Sequence, residues 1–121
     1  MNANRETLVV GASTNPQRYS YLAIERLKAN NIDSIMALGL KPGEVFGVPI
    51  EQEFPKRSVD TVTVYVGPKN QEELKNYLEK YPPKRIIFNP GTESDLMHNP
   101  ALKETEVLPA CTLVMLASNL Y

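Results

Sequence analysis

Apolar and polar positions alternate along this chain in blocks of two periods, one of strands and one of helices. Thr7-Leu8-Val9-Val10 is a short apolar run that empties into Gly11-Ala12-Ser13-Thr14-Asn15. From about Ser20 to Ala29 the period changes: Ala23, Ile24 and Leu27 share one face while Glu25, Arg26 and Lys28 share the other, and Asn30-Asn31 ends the segment. That spacing predicts an amphipathic helix. A second strand is read over Ser34-Ile35-Met36-Ala37-Leu38. The stretch from Gly39 to Ser58 holds Lys41-Pro42-Gly43 and Gly47-Val48-Pro49 and reads as turns with at most a brief extended piece. A third strand, Thr61 to Val66, stops at Gly67-Pro68. Asn70 is then placed to cap a helix, with Glu73 as its box partner. Leu74, Tyr77, Leu78 and Tyr81 form that helix's inward stripe, and Pro82-Pro83 closes it.

The fourth strand is Arg85 to Asn89, followed by Pro90-Gly91-Thr92-Glu93 and a short helix from about Ser94 to Asn99. A fifth strand runs from Glu106 to Ala110, and a last helix starts near Thr112 with Leu113, Leu116 and Leu120 inward. Strands spaced by helices predict one α/β domain, residues 1–121, around a five-stranded parallel sheet in the order 3-2-1-4-5. Pro109 cannot donate to a ladder, so the fifth strand is expected at an edge.

In such sheets a ligand lies beyond the carboxyl ends of the strands. Four loops meet on that edge: Gly11 to Tyr19, Gly39 to Lys41, Gly67 to Asn70, and Asn89 to Ser94, the last containing Pro90 and Gly91. The first turn is the most informative. A strand, a turn of small residues and a helix N-terminus form the usual seat of a phosphate, with Gly11 allowing close backbone approach and Ser13 and Thr14 offering hydroxyls. The turn lacks the three glycines of a dinucleotide fingerprint, and no phosphate-binding loop of the nucleotide-hydrolase type occurs. The end of strand 2 reads Leu38-Gly39-Leu40-Lys41, a cation where an NAD site wants a carboxylate. A ribose phosphate would suit Lys41, which leaves NADP and coenzyme A open.

Composition narrows the classes further. An apolar share of 42% and a charged share of 22% suit a soluble globular protein. A net charge of −1 argues against a general nucleic-acid binder. One cysteine, Cys111, and one histidine, His98, exclude a disulfide framework and leave too few ligands for zinc. The polar start, Met1-Asn2-Ala3-Asn4-Arg5, runs straight into the first strand without the pattern of a signal peptide, and no apolar run is long enough to span a bilayer. A cytoplasmic protein with no membrane partner is expected.

Val9-Val10-Gly11-Ala12-Ser13-Thr14-Asn15-Pro16-Gln17-Arg18-Tyr19-Ser20 resembles the opening of the stand-alone CoA-binding domain family, related to the nucleotide-binding domain of the succinyl-CoA synthetase alpha subunit. The likeness continues through Gly43 to Ile50, Val59-Asp60, Asn89 to Glu93 and Cys111 to Leu116. One departure is Gly39-Leu40-Lys41-Pro42, where members often carry an Asn-Pro-Lys type sequence. The resemblance implies a Rossmann-like, three-layer α/β/α domain that binds coenzyme A or an acyl-CoA without catalysis of its own. It implies Gly11, Ala12 and Ser13 at the pyrophosphate, Arg18 and Ser20 near the phosphates, and Lys41 near the ribose phosphate. Val66, Gly67 and Pro68 would border the adenine or ribose. A protein partner or a homodimer is compatible with this reading.

The rival is an NADP-dependent oxidoreductase or redox sensor, for which Tyr65 and Cys111 are the only proton donors in range. Cys111 is expected to be a buried structural thiol, since free cysteine behaves as a small apolar residue. His98 is expected at a surface or helix end, and Glu93 as an anion at a helix N-terminus.

Overall fold

A computed structural model describes residues 5–121; the reading of the polar start at residues 1–4 lies outside the described residues. Seven strands form one sheet: β1 (Thr7–Val10), β2 (Ile35–Leu38), β3 (Gly43–Val45), β4 (Val48–Glu51), β5 (Thr61–Val64), β6 (Arg85–Phe88) and β7 (Glu106–Pro109). Their spatial order is β3-β4-β2-β1-β5-β6-β7, and only the β3–β4 pair is antiparallel. Among the described residues there are three α-helices, α1 (Tyr19–Ala29), α2 (Glu72–Lys80) and α3 (Thr112–Ala117), and three short 3-10 turns.

The five-stranded order 3-2-1-4-5 is therefore corrected. The expected third strand, β5, pairs with β1 in register Thr7↔Thr61 and not with β2. The place beside β2 is taken by β4, inside the stretch read as turns. Two prolines and two glycines hid this hairpin, although Val48 and Ile50 alternate with Pro49 and Glu51 as buried and exposed positions. Its two-residue turn is Phe46-Gly47, with φ of 50° and 82°, the left-handed pair that matches strand twist. Pro49 faces Glu44 at a pair that exchanges no bonds across such a hairpin, and stands one residue before Ile50, where pairing with β2 begins. Its missing N–H thus costs no ladder bond. Pro109 does lie on an edge strand, since β7 pairs with β6 alone.

β5 is buried throughout because its threonine hydroxyls find partners inside the protein. Thr63 Oγ1 meets Thr112 Oγ1 at 2.8 Å, and Thr61 Oγ1 donates to Asp60 at 2.7 Å. The sheet carries an apolar core on each face. Leu8, Val10, Val62, Val64, Ile86 and Phe88 pack with Leu74, Tyr77 and Leu78 of α2 and with Leu96 and Leu102. Val9, Ala37, Ile50 and Ile87 pack with Ile24 and Leu27 of α1 and Met115 and Leu116 of α3. The chain changes faces between β1 and β5, so the switch point lies there, between Gly11-Ala12 and Tyr65-Val66.

Two helix-end expectations are corrected. Asn70 belongs to a 3-10 turn, Pro68–Asn70, and the residue before α2 is Gln71. Leu120 is 69% exposed, whereas Tyr121 is buried, because Asn119 turns at φ 58° and redirects the chain. The Tyr121 ring lies 4.3 Å under the Arg85 guanidinium, and its hydroxyl bonds the Thr7 hydroxyl.

Candidate functional site

At the carboxyl ends of β1, β2, β5 and β6 the loops leave a cleft of about 820 Å³. Gly11, Ala12, Ser13, Thr14, Arg18, Ser20, Gly39, Lys41, Val66, Gly67 and Pro90 all line it. Pro68, Asn89 and Gly91 do not.

The first turn works differently from its expectation. The Gly11 and Ala12 amides both donate to the Leu38 carbonyl, at 2.9 and 2.8 Å. They tie β1 to β2 and offer no donor to a ligand. The glycines here serve packing: a Cβ on Gly11, at φ 99°, would come within 3.0 Å of the Tyr65 backbone. A Cβ on Gly39 would run into the Ala12 carbonyl oxygen and lie 2.9 Å from Ile50. The donors left for a ligand come later in the loop. Among the described residues, the Ser13, Thr14, Tyr19 and Ser20 amides have no protein acceptor. Ser13 Oγ accepts from the Asn15 amide at 3.0 Å, which leaves its proton to give.

Electrostatics favour an anion at this spot. α1 begins without a side-chain cap and without an acidic residue in its first turn, and Arg18 stands at its N-cap. A cation at the positive end of a helix is unfavourable until an anion joins it. Arg18 and Lys41 are exposed and form no ion pair among the described residues. Glu73 is the one carboxylate on the cleft wall, on the β5 side with Asn70.

Asn89 and Gln71 hold the loops from below. Asn89 is 3% exposed; its amide donates to Thr63 Oγ1 (2.8 Å) and the Val64 carbonyl (2.9 Å) and accepts from the Thr112 amide (2.8 Å). Its side chain is thus spent inside the protein. Gln71, equally hidden, donates to the Val66 and Thr92 carbonyls and accepts from Ser94 Oγ, joining the loops after β5 and β6. Pro90-Gly91 is a tight turn closed by the Thr92 amide on the Asn89 carbonyl at 3.0 Å. Glu93 accepts from the Gly91 amide at 2.8 Å and bonds no helix N-terminus. His98 is exposed in a 3-10 turn and does not line the cleft.

Reading the sequence missed Gln71 and the cleft residues Gln52 and Phe54. The alternation at Val48–Glu51 was the available signal for Gln52 and Phe54, because a strand there ends on the ligand edge. Phe54 is held at the rim by stacking on Tyr77, with ring centroids 4.7 Å apart.

Of the two donors the redox reading depends on, Tyr65 is poorly suited. Burial pushes its phenol up to about 12, and the Thr63 and Thr112 hydroxyls nearby offset this only in part. The hydroxyl is sealed from solvent without a partner in hydrogen-bonding geometry. Burial also raises Tyr77 to about 12, and its hydroxyl donates to the Arg57 carbonyl at 2.8 Å. Both folded values lie above the unfolded one near 10, so the stabilisation they carry is complete below about pH 10 and is lost as pH rises toward 12. Burial raises the Tyr121 phenol as well, so a spectrophotometric titration of the folded protein should show three tyrosines, Tyr65, Tyr77 and Tyr121, ionising late; a single step near pH 10 for all of the tyrosines would contradict this.

The family described as a CoA binding domain matches residues 5–117. A crystal structure of an uncharacterized protein superposes with a TM-score of 0.90 at 43% identity, over 99% of this chain and all of that one. A conserved hypothetical protein from Pyrococcus furiosus gives 0.74 at 26% identity, over 91% of this chain and 97% of that one. A hypothetical protein from Pyrococcus horikoshii OT3 gives 0.77 at 21%, over 97% of this chain and 84% of that one, a likeness of fold alone. No curated protein matches the chain.

Proposed function

This chain belongs to the CoA-binding domain family, and we propose that it binds coenzyme A or an acyl-CoA in the cleft beside β1 without catalysing a reaction. One observation carries the reading: Ser13, Thr14, Tyr19 and Ser20, whose amides have no acceptor among the described residues, line the same cleft as Arg18 and Lys41, two cations with no ion pair among the described residues. The pyrophosphate would take the amides at the start of α1, where orphan N–H groups and the helix dipole favour an anion. Arg18 would close over it. Lys41, beyond β2, would meet the 3′-phosphate of the ribose. The walls at Val66, Gly67 and Pro68 would border adenine, with Glu73 accepting from an exocyclic amine or ribose hydroxyl. Pro68 supports this only as the end of the Gly67 loop, since it lies off the cleft itself.

The donor set fits coenzyme A better than NAD, which wants a carboxylate after β2. The sealed Tyr65 hydroxyl weighs against the oxidoreductase reading, because a buried phenol at about 12 is a poor acid near neutral pH. Thermal-shift titrations with coenzyme A, dephospho-CoA, NAD and NADP test the proposal. A ligand at a hundred times its dissociation constant adds about 2.7 kcal/mol, a rise of several degrees in a domain of this size. Coenzyme A should raise the melting temperature, dephospho-CoA less so, and NAD not at all. Stabilisation by NADP alone would replace this reading with the oxidoreductase one.

A further inference from the structure

Next to the nucleotide cleft lies a second cavity of about 220 Å³, lined by Tyr19, Tyr65, Asn89, Pro90, Cys111 and Leu113. Tyr19, Tyr65 and Pro90 line both spaces, so the cavity is a side chamber of the cleft. It carries no charged residue, whereas Arg18 and Lys41 belong to the cleft alone. Of its polar side chains, those of Asn89 and Tyr65 are already committed or hidden, and Tyr19 is exposed. The Asn89 amide is held by Thr63, Val64 and Thr112, and the Tyr65 hydroxyl is sealed from solvent. What the chamber offers is the ring surface of two tyrosines, Pro90, Leu113 and a half-buried thiol that packs as a small apolar group.

We propose that this chamber receives the acyl group of a short-chain acyl-CoA, so that the acylated cofactor and not free coenzyme A is the preferred ligand. The inference rests on the coenzyme A reading of the cleft. The phosphates take the charged cleft, and the far end of the pantetheine arm then reaches the loop after β6, where Pro90 forms the shared wall. At roughly 30 Å³ for each water-sized group, the chamber holds about seven such groups, enough for a short unbranched acyl chain and too little for a long one. An acyl group ending in a carboxylate would bring an unpaired charge against apolar walls, which is costly.

Isothermal titration calorimetry on the full chain with coenzyme A, butyryl-CoA, succinyl-CoA and palmitoyl-CoA tests this. Butyryl-CoA should bind about tenfold or more tighter than coenzyme A, and the succinyl and palmitoyl thioesters should show no such gain. Leu113→Glu should abolish the butyryl advantage while leaving coenzyme A affinity unchanged within about twofold. Retained coenzyme A binding then also reports that the variant is folded, and Leu113→Ala, a milder change, should reduce the advantage in part. Equal affinity for coenzyme A and butyryl-CoA would overturn the inference and leave the cofactor reading intact. A Leu113 change that weakens both ligands alike would overturn it too, placing the pantetheine arm itself in the chamber. Failure of every thioester and of coenzyme A to bind would overturn the cofactor reading beneath it.

Discussion

Exchanging Arg18 and Lys41 together for glutamine is expected to weaken coenzyme A binding a hundredfold or more. Both cations stand on the cleft wall, exposed and without a carboxylate partner among the described residues. A hydrogen bond to a charged group contributes about 1.5–3 kcal/mol, so two phosphate contacts amount to roughly 3–6 kcal/mol, or on the order of 10²–10⁴ in affinity. The fold should be indifferent, because neither side chain supports the core. Glutamine at position 18 also removes a cation from the positive end of α1, where it is unfavourable in the free protein. The melting temperature should therefore hold or rise slightly as the affinity collapses. The single variants separate the roles. Lys41→Gln should weaken coenzyme A and leave dephospho-CoA unchanged, while Arg18→Gln should weaken both. A double variant that still binds coenzyme A like the parent would remove the phosphate assignment from this edge of the sheet.

The second large effect concerns stability. Asn89→Leu should lower it by about 3 kcal/mol, since the Thr112 amide and the Val64 carbonyl each lose a buried partner at about 1–3 kcal/mol apiece. In a domain of this size that is a fall of roughly 10 °C in melting temperature. The same variant decides between two roles for this residue. A ligand contact would weaken binding with the melt unchanged; an internal strut lowers the melt first. Its 3% exposure and three internal hydrogen bonds argue for the strut. An unchanged melting curve for the apo variant would refute that role.

The candidate site was legible in the sequence wherever the signal was local. Gly11, Ser13, Thr14 and Arg18 lie in one loop between a strand and a helix, and that loop does open on the cleft. Lys41 follows the end of a strand by three residues and needed only the strand to be recognised. Gln71 and Asn89 were opaque for the opposite reason. Both are polar residues next to turns, where exposure is the ordinary outcome, and both are buried only because loops distant in sequence close over them. Gln52 and Phe54 were lost with β4, whose proline and flanking glycines argue locally for a turn.

By itself the sequence determined where helices lie along the chain, the main parallel strands, the apolar stripes that face the cores, and the edge position forced by Pro109. These depend on period and on the conformational limits of single residues. Strand order was decided only in the tertiary structure. β1, β5 and β6 are all buried along their whole length, so their patterns do not say which one is the neighbour of which. Pairing is chosen by the connections and by long-range packing. The same holds for the proposed phosphate seat: every residue of the Gly11–Asn15 turn has an amide, and the Leu38 carbonyl on a neighbouring strand takes those of Gly11 and Ala12. What remains for the ligand is the next stretch of chain, from Ser13 to the first turn of α1.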